Sequence, residues 1–219
     1  AAIDGKSAIL SAPTGSGKTW VAYIWAGLME RDGTPRMPEG RVIFTAPIKA
    51  LSNERYLDLK GMGFDVGLET GDFKKNAGAA VLCCTQEIYT LKYAHLPGQS
   101  VVIDEFHFIF NDPERARAYI DGLRRTSDDS RILVMSATFG NPERVRDYLQ
   151  EMARRDFALF ETNARVTKPV SKQRGTRFAP IPDALTFAFS KTGAERAAAQ
   201  TAHPPRKIRH GRHARHAET

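Results

Sequence analysis

The chain has 219 residues, of which 42% are apolar, 26% charged and 9% aromatic. This balance excludes a disordered or fibrous protein and suits one full domain with a remainder, or two small ones. The net charge of +7 sits at one end: residues 165–219 hold 12 Lys/Arg against 3 Asp/Glu, while residues 1–164 carry −2.

The elements follow a repeating order. Short apolar runs at residues 8–10, 41–45, 66–69, 80–84, 101–104 and 132–135 lack the alternation of half-exposed strands and read as strands buried on both faces. Residues 158–161 offer one more. Between them, residues 18–31, 50–62, 85–93, 113–124 and 142–155 read as helices. Pro113 follows Asn111 and Asp112, and Pro142 follows Asn141, which is good helix-start chemistry. Alternation of this kind predicts an α/β layer fold with a mainly parallel central sheet flanked by helices. The chain opens at Ala1 directly into the first strand and is expected to be N-terminally incomplete. No leader peptide is visible. The longest mainly apolar stretch, residues 101–110, is interrupted by Asp104, Glu105 and His107 and falls far short of the ~20 residues of a membrane span, so no membrane association is expected. Adjacent Cys83 and Cys84 point to opposite faces of a strand, and read as two buried thiols of a reducing, cytoplasmic compartment.

Ala12, Pro13, Thr14, Gly15, Ser16, Gly17, Lys18 and Thr19 lie between the first strand and the first helix, which is where a phosphate-binding P-loop must sit. Gly15 and Gly17 allow a tight turn that aims backbone N–H groups at phosphate oxygens, and the helix N-terminus adds its positive dipole end. Lys18 is placed for the β- and γ-phosphates of ATP, and the Thr19 hydroxyl for Mg²⁺. Ala12 stands where the strictest pattern has Gly. Residues 101–105 form an apolar strand ending in two acids. A lone Asp-Glu there would read as a solvated turn. Paired with the P-loop, Asp104 becomes a Mg²⁺ ligand and Glu105 the base for the attacking water.

Asp104-Glu-Phe-His107 and Ser136-Ala-Thr138, following the P-loop in that order, resemble motifs II and III of superfamily-two helicases, with Asp-Glu-x-His marking the DExH branch. Residues 45–55 resemble motif Ia, with Pro47 to Asn53 worded as in the superkiller-like group. Thr70-Gly-Asp72 and Thr85-Gln-Glu-Ile88 resemble the next two motifs. The resemblance covers nearly all of residues 5–160. It implies a RecA-like helicase domain over residues 1–163, with Lys18, Asp104 and Glu105 catalytic and His107 also at the nucleotide. It further implies that Pro47, Lys49, Ser52, Asn53, Gly71, Asp72 and Thr85 track single-stranded nucleic acid, while His107, Ser136 and Thr138 couple nucleotide state to movement. Small hydroxyls, a lysine and backbone amides suit phosphate positioning without base readout.

Residues 164–182 then read as a linker. Residues 183–200 resemble the start of a second RecA-like domain, with a strand at 184–190 and a helical stretch at 193–200. Residues 201–219 form a basic tail that cannot build a core. Out-of-frame translation is favoured for the tail over an authentic basic arm, so its charge is given no nucleic-acid role. The segment that reads adenine in relatives would precede Ala1, so preference for ATP is implied by resemblance alone. The resemblance implies an ATP-driven helicase, on RNA first and DNA second. A catalytically idle binding module remains open, because the arginines that complete the ATP site have no counterpart here. A P-loop ATPase unrelated to nucleic acid has no reason to carry residues 47–53 and 136–138.

Overall fold

The computed structural model describes residues 6–110, 112–137 and 139–164. Its strands are β1 Ala8–Ser11, β2 Arg41–Ala46, β3 Val66–Thr70, β4 Phe73–Lys75, β5 Val81–Thr85, β6 Gln99–Ile103, β7 Arg131–Ser136 and β8 Ala158–Glu161. They form one sheet in the order β4-β3-β5-β2-β6-β7-β1-β8. Every pairing is parallel except that of β4 with β3. The helices are α1 Lys18–Trp25, α2 Lys49–Gly61, the short α3 Gln86–Ile88, α4 Pro113–Arg125 and α5 Pro142–Ala153.

The unalternating apolar runs have a direct structural cause. Successive residues of each strand enter different cores. Ala8, Leu10, Val42, Phe44, Leu133 and Met135 pack with Tyr23, Trp25, Tyr56 and Leu59 of α1 and α2. Ile9, Ile43, Ile103, Ile132 and Val134 pack on the other face with Tyr119, Leu123, Leu149 and Ala153 of α4 and α5. Each fully buried Ile, Leu or Val stabilises the fold by about 1.5–3 kcal/mol. The mainly parallel α/β sheet expected from sequence is therefore present, with helices on both faces.

Several boundaries differ from expectation. The first helix stops at Trp25 rather than at residue 31. Gly27 adopts φ 74°, its N–H bonds to the Ile24 carbonyl, and the Leu28 N–H reaches back to Tyr23 at 2.9 Å. This is a Schellman ending, in which Gly takes the left-handed position without cost. α2 ends the same way at Gly63 (φ 89°). The expected helix at 85–93 is only α3 followed by a π-turn, Tyr89–Tyr93, closed by Ala94 N–H to Tyr89 O at 2.9 Å. Side chains brace the segment: Thr90 Oγ1 donates to the Ala118 carbonyl of α4 at 2.8 Å, and Gln99 Nε2 to the Tyr93 carbonyl at 2.8 Å. β4 was not expected. Gly71 and Asp72, read as a binding motif, are also the two-residue turn of a β3–β4 hairpin. α4 and α5 start as predicted, with Asp112 accepting from the Glu114 N–H (3.0 Å) and Asn141 from the Arg144 N–H (3.0 Å). The expected linker, second-domain strand and helix, and basic tail lie outside the described residues, as does Thr138.

Candidate nucleotide site and nucleic-acid interface

Because the strands run parallel, their C-terminal ends share one edge of the sheet. Across that edge the order β3, β5, β2, β6, β7, β1 presents Gly71 and Asp72, then Thr85, Pro47, Asp104, Ser136 and Ala12. Sequence-distant motifs thus become neighbours. At ~4.8 Å per strand the row spans ~24 Å. Ligands of open α/β sheets bind at this carboxyl edge.

One half of the row holds the nucleotide-type residues. Gly15 and Gly17 both take positive φ (80° and 87°), a conformation that costs Gly little. Gly17 caps α1, so the first turn of the helix opens at Lys18. The Lys18 ammonium donates to Ala12 O at 2.7 Å and to Pro13 O at 3.3 Å. Pro13, Ser16, Gly17 and Thr19 are half-buried, while Thr14 and Gly15 are exposed. The Ala12 N–H donates to Ser136 O at 3.1 Å, which ties the P-loop to the β7 end. Asp104 follows β6, its N–H on Thr45 O at 3.1 Å. Its Oδ1 accepts from the Glu105 N–H at 2.9 Å. Glu105 sits at φ 50°, an uncommon conformation for a non-glycine residue. His107 lies between Glu105 and Ser136, its Nδ1 3.1 Å from Glu105 Oε2 and 3.4 Å from Ser136 Oγ. Ser16 Oγ is buried without a hydrogen-bond partner, and Glu105 Oε2 is buried with His107 Nδ1 as its polar neighbour. Buried polar atoms are normally satisfied, so the unpartnered Ser16 hydroxyl within the P-loop leaves a hydrogen-bonding group available there.

The other half is a cleft of about 660 Å³ lined by Pro47, Lys49, Gly71 and Thr85, together with Ile48, Glu87, Leu91 and Arg115. Lys49 pairs with Asp72 at 2.8 Å, and Thr70 Oγ1 donates to Asp72 at 3.0 Å. These hydrogen bonds hold the Asp72 carboxyl below its usual value. Asn53 is exposed on α2. Ser52 is buried and its hydroxyl turns back toward Ile48 O at 3.5 Å. The structure therefore gathers four of the seven predicted strand-contact residues in one cleft and leaves Ser52 and Asn53 on the helix beside it. A smaller cleft, about 340 Å³, lies at the opposite edge among Gln99, Ser130 and Arg155. There the Arg155 guanidinium is taken up by the Thr126, Ser127 and Ser130 carbonyls.

Three features escaped the sequence reading. Arg55 Nη2 donates to Asp104 Oδ2 at 3.3 Å. The available signal was a charged residue within the buried stripe Ser52, Tyr56, Leu59 of α2. Arg115 reaches from α4 to the Pro47 carbonyl and to Asp112. Nothing in its local sequence announces that contact, which joins residues 68 positions apart. Buried Glu69 accepts from Tyr93 OH and from Lys92 Nζ, a partnership that depends on the unexpected π-turn.

Comparison with known proteins agrees with this arrangement. Residues 1–145 match the model of the DEAD/DEAH box helicase family. The chain is 34% identical to human superkiller complex protein 2 over 169 residues, covering 75% of this chain and 13% of that protein. It is 32% identical to the DExH-box ATP-dependent RNA helicase DExH9 of Arabidopsis thaliana over 171 residues, covering 75% of this chain and 16% of that protein. The chain therefore spans about a sixth or less of these relatives. Among solved structures, the Mycobacterium smegmatis helicase Lhr bound to ssDNA and AMP-PNP superposes with a TM-score of 0.55 at 25% identity, covering 72% of this chain and 24% of that one. With the family match spanning well over half its length and the motif residues assembled on one sheet edge, the chain belongs to the DEAD/DEAH box helicase family.

Proposed function

We propose that this chain is the nucleotide-binding part of an ATP-driven motor that translocates on and unwinds nucleic acid, with single-stranded RNA favoured as its track. The observation that carries the reading is the shared carboxyl edge, with the P-loop and acidic pair on one half and the Pro47–Lys49–Gly71 cleft on the other. In this reading the N–H groups of the Gly15–Gly17 turn and the start of α1 cradle the β- and γ-phosphates. Lys18 exchanges the Ala12 and Pro13 carbonyls for phosphate oxygens, a charge-assisted and therefore stronger pairing. Thr19 and Asp104 offer only oxygen donors, which fits a hard cation such as Mg²⁺. Mg²⁺ so held would neutralise charge building up on the transferring phosphate. Glu105, whose Oε2 is buried beside His107 Nδ1 at 3.1 Å, accepts the proton of the attacking water. His107, within reach of both Glu105 and Ser136, relays the state of that carboxylate to β7.

On the other half, Lys49, Asn53, Thr85 and the Gly71 backbone position a phosphate chain without reading bases. RNA as the track is supported by the Arabidopsis relative, which is described as an RNA helicase. A cytoplasmic location goes with this reading, supported by the free, buried thiols of Cys83 and Cys84.

ATP turnover measured with single-stranded RNA, single-stranded DNA or no polymer tests the proposal. RNA-only stimulation is expected. Lys18→Ala is expected to abolish nucleotide binding, and Glu105→Gln to bind nucleotide without hydrolysing it. Stimulation by DNA would move the track to DNA. Binding of both ligands without turnover would make the 219-residue chain a binding module. Turnover indifferent to either polymer would refute the helicase reading.

A further inference from the structure

Arg55 stands where three separately positioned parts meet. It projects from α2, whose first turn carries Lys49 and whose next residues include Asn53, both on the proposed track. Its Nη2 donates to Asp104 Oδ2 at 3.3 Å, while its Nη1 donates to Tyr23 OH at 3.0 Å and lies 3.6 Å from Asp58 Oδ2. The guanidinium carbon sits 5.7 Å from the Tyr23 ring centre. Tyr23 is fully buried and belongs to α1, the helix that opens at Lys18. Only 17% of the Arg55 side chain is exposed, and 21% of Asp104. A planar, rigid fork is the group that can serve a phenol and a carboxylate at once. A lysine ammonium presents its three donors from a single nitrogen and lacks that two-pronged geometry.

The consequence for Asp104 is that neither carboxylate oxygen is loose: Oδ1 takes the Glu105 N–H and Oδ2 takes Arg55. Arg55 thereby fixes the rotamer of the acid assigned to the cation. We infer that Arg55 is a positioning residue through which α2 couples the nucleic-acid track to the Mg²⁺–nucleotide site. The inference rests on the two-site reading given above. A nucleic-acid backbone bound at Lys49 and Asn53 restrains α2, and with it Arg55 and the Asp104 carboxylate. The cation then meets a ligand already ordered, so less conformational freedom is lost when it binds. Coupling of this origin is positive, and it acts equally in both directions.

The test is binding rather than turnover. The affinity of the full 219-residue chain for a fluorescent, non-hydrolysable ATP analogue is measured with Mg²⁺, in the absence and presence of a short oligouridylate, and again in EDTA. For the unaltered chain, oligouridylate is expected to tighten the Mg²⁺ complex by about fivefold or more, the lower end of ordinary coupling between sites. It should tighten the EDTA form much less, because the coupling passes through the cation's ligand. In Arg55→Met the ratio should fall to about one, with Arg55→Lys between the two. A merely structural role would weaken both affinities while leaving their ratio intact, and that result overturns the inference. So does an unaltered chain that binds both ligands with a ratio of one. If circular dichroism shows Arg55→Met unfolded, Tyr23→Phe replaces it. Loss of that one hydroxyl frees half of the fork and should shrink the ratio, and an unchanged ratio there also overturns the inference. An unaltered chain that binds neither ligand fails earlier, at the two-site reading itself.

Discussion

Glu69→Gln tests whether the buried carboxylate before the Gly71–Asp72 turn holds the β3–β4 side of the fold together. Glu69 is 1% exposed and accepts from Tyr93 OH and Lys92 Nζ. A buried hydroxyl bonded to a charged acceptor contributes about 1.5–3 kcal/mol. The Lys92 side chain is half exposed, so its ion pair adds at most about 1 kcal/mol. Glutamine keeps one accepting oxygen and turns an amide donor toward the second donor, so a loss of about 2 kcal/mol is expected. At roughly 2–4 °C per kcal/mol for a chain of this size, Tm falls by about 4–8 °C at neutral pH. The pH dependence supplies a second check. Burial pushes the Glu69 carboxyl up, but the Lys92 and Tyr93 hydrogen bonds more than offset it and hold it below its ordinary 4.5. The native form therefore resists protonation more than the unfolded chain does. Its contribution is whole above that ordinary value and is lost as pH falls through the lowered native one. Thermal melts followed by circular dichroism should show the gap between wild type and Glu69→Gln closing as the solution is acidified. A Tm change under about one degree at neutral pH, or two curves that stay parallel into acid, would refute the reasoning.

Two further outcomes are open to simple measurement. A Cβ at Gly122 would lie 2.6 Å from Thr90 Oγ1 and 2.7 Å from Gln86 Nε2, so Gly122→Ala should cost about 1–3 kcal/mol by overpacking. That loss should lower the urea midpoint without changing the slope, and an unmoved midpoint would contradict the close approach of α4 to α3. Burial raises the Cys83 thiol to about 12 and Cys84 well above its ordinary value. A thiol reagent at mildly alkaline pH should label neither cysteine faster than the chain unfolds, and a rapid burst of labelling would show one of them to be accessible.

The placement of the P-loop residues and the acidic pair at the sheet's carboxyl edge was readable because it is local. Eight consecutive residues, the strand before them and the helix after them determine the P-loop, and a single strand end determines Asp104 and Glu105. The unalternating runs also disclosed the parallel sheet, since burial on both faces leaves its mark residue by residue. What stayed hidden is long-range or conformationally exceptional. Arg55 meets Asp104 across 49 positions and Arg115 meets Pro47 across 68. No local pattern encodes either contact. The composition of Tyr89–Tyr93 does not separate a π-turn from an ordinary helical turn, and the segment is held from outside by Gln99 on the Tyr93 carbonyl and by Thr90 on the Ala118 carbonyl. β4 was overlooked because all three of its residues are exposed, so it carries no buried face to betray it.

That overlooked strand bears on how copies of the protein behave toward each other. β3 is buried along all five of its residues, and a strand left as the margin of a sheet presents unpaired backbone groups to a neighbouring chain. β4 occupies that margin with three exposed residues, two of them Lys74 and Lys75. Like charges would stack lysine on lysine in any copy that tried to extend the sheet. A side chain at position 67 would collide with the Asn76 carbonyl, so Gly67 is what lets the hairpin lie flat enough to seal the margin. The hairpin turn is also a wall of the cleft proposed for the track. Changes made at the turn to test the proposed nucleic-acid contacts are therefore expected to alter solubility as well.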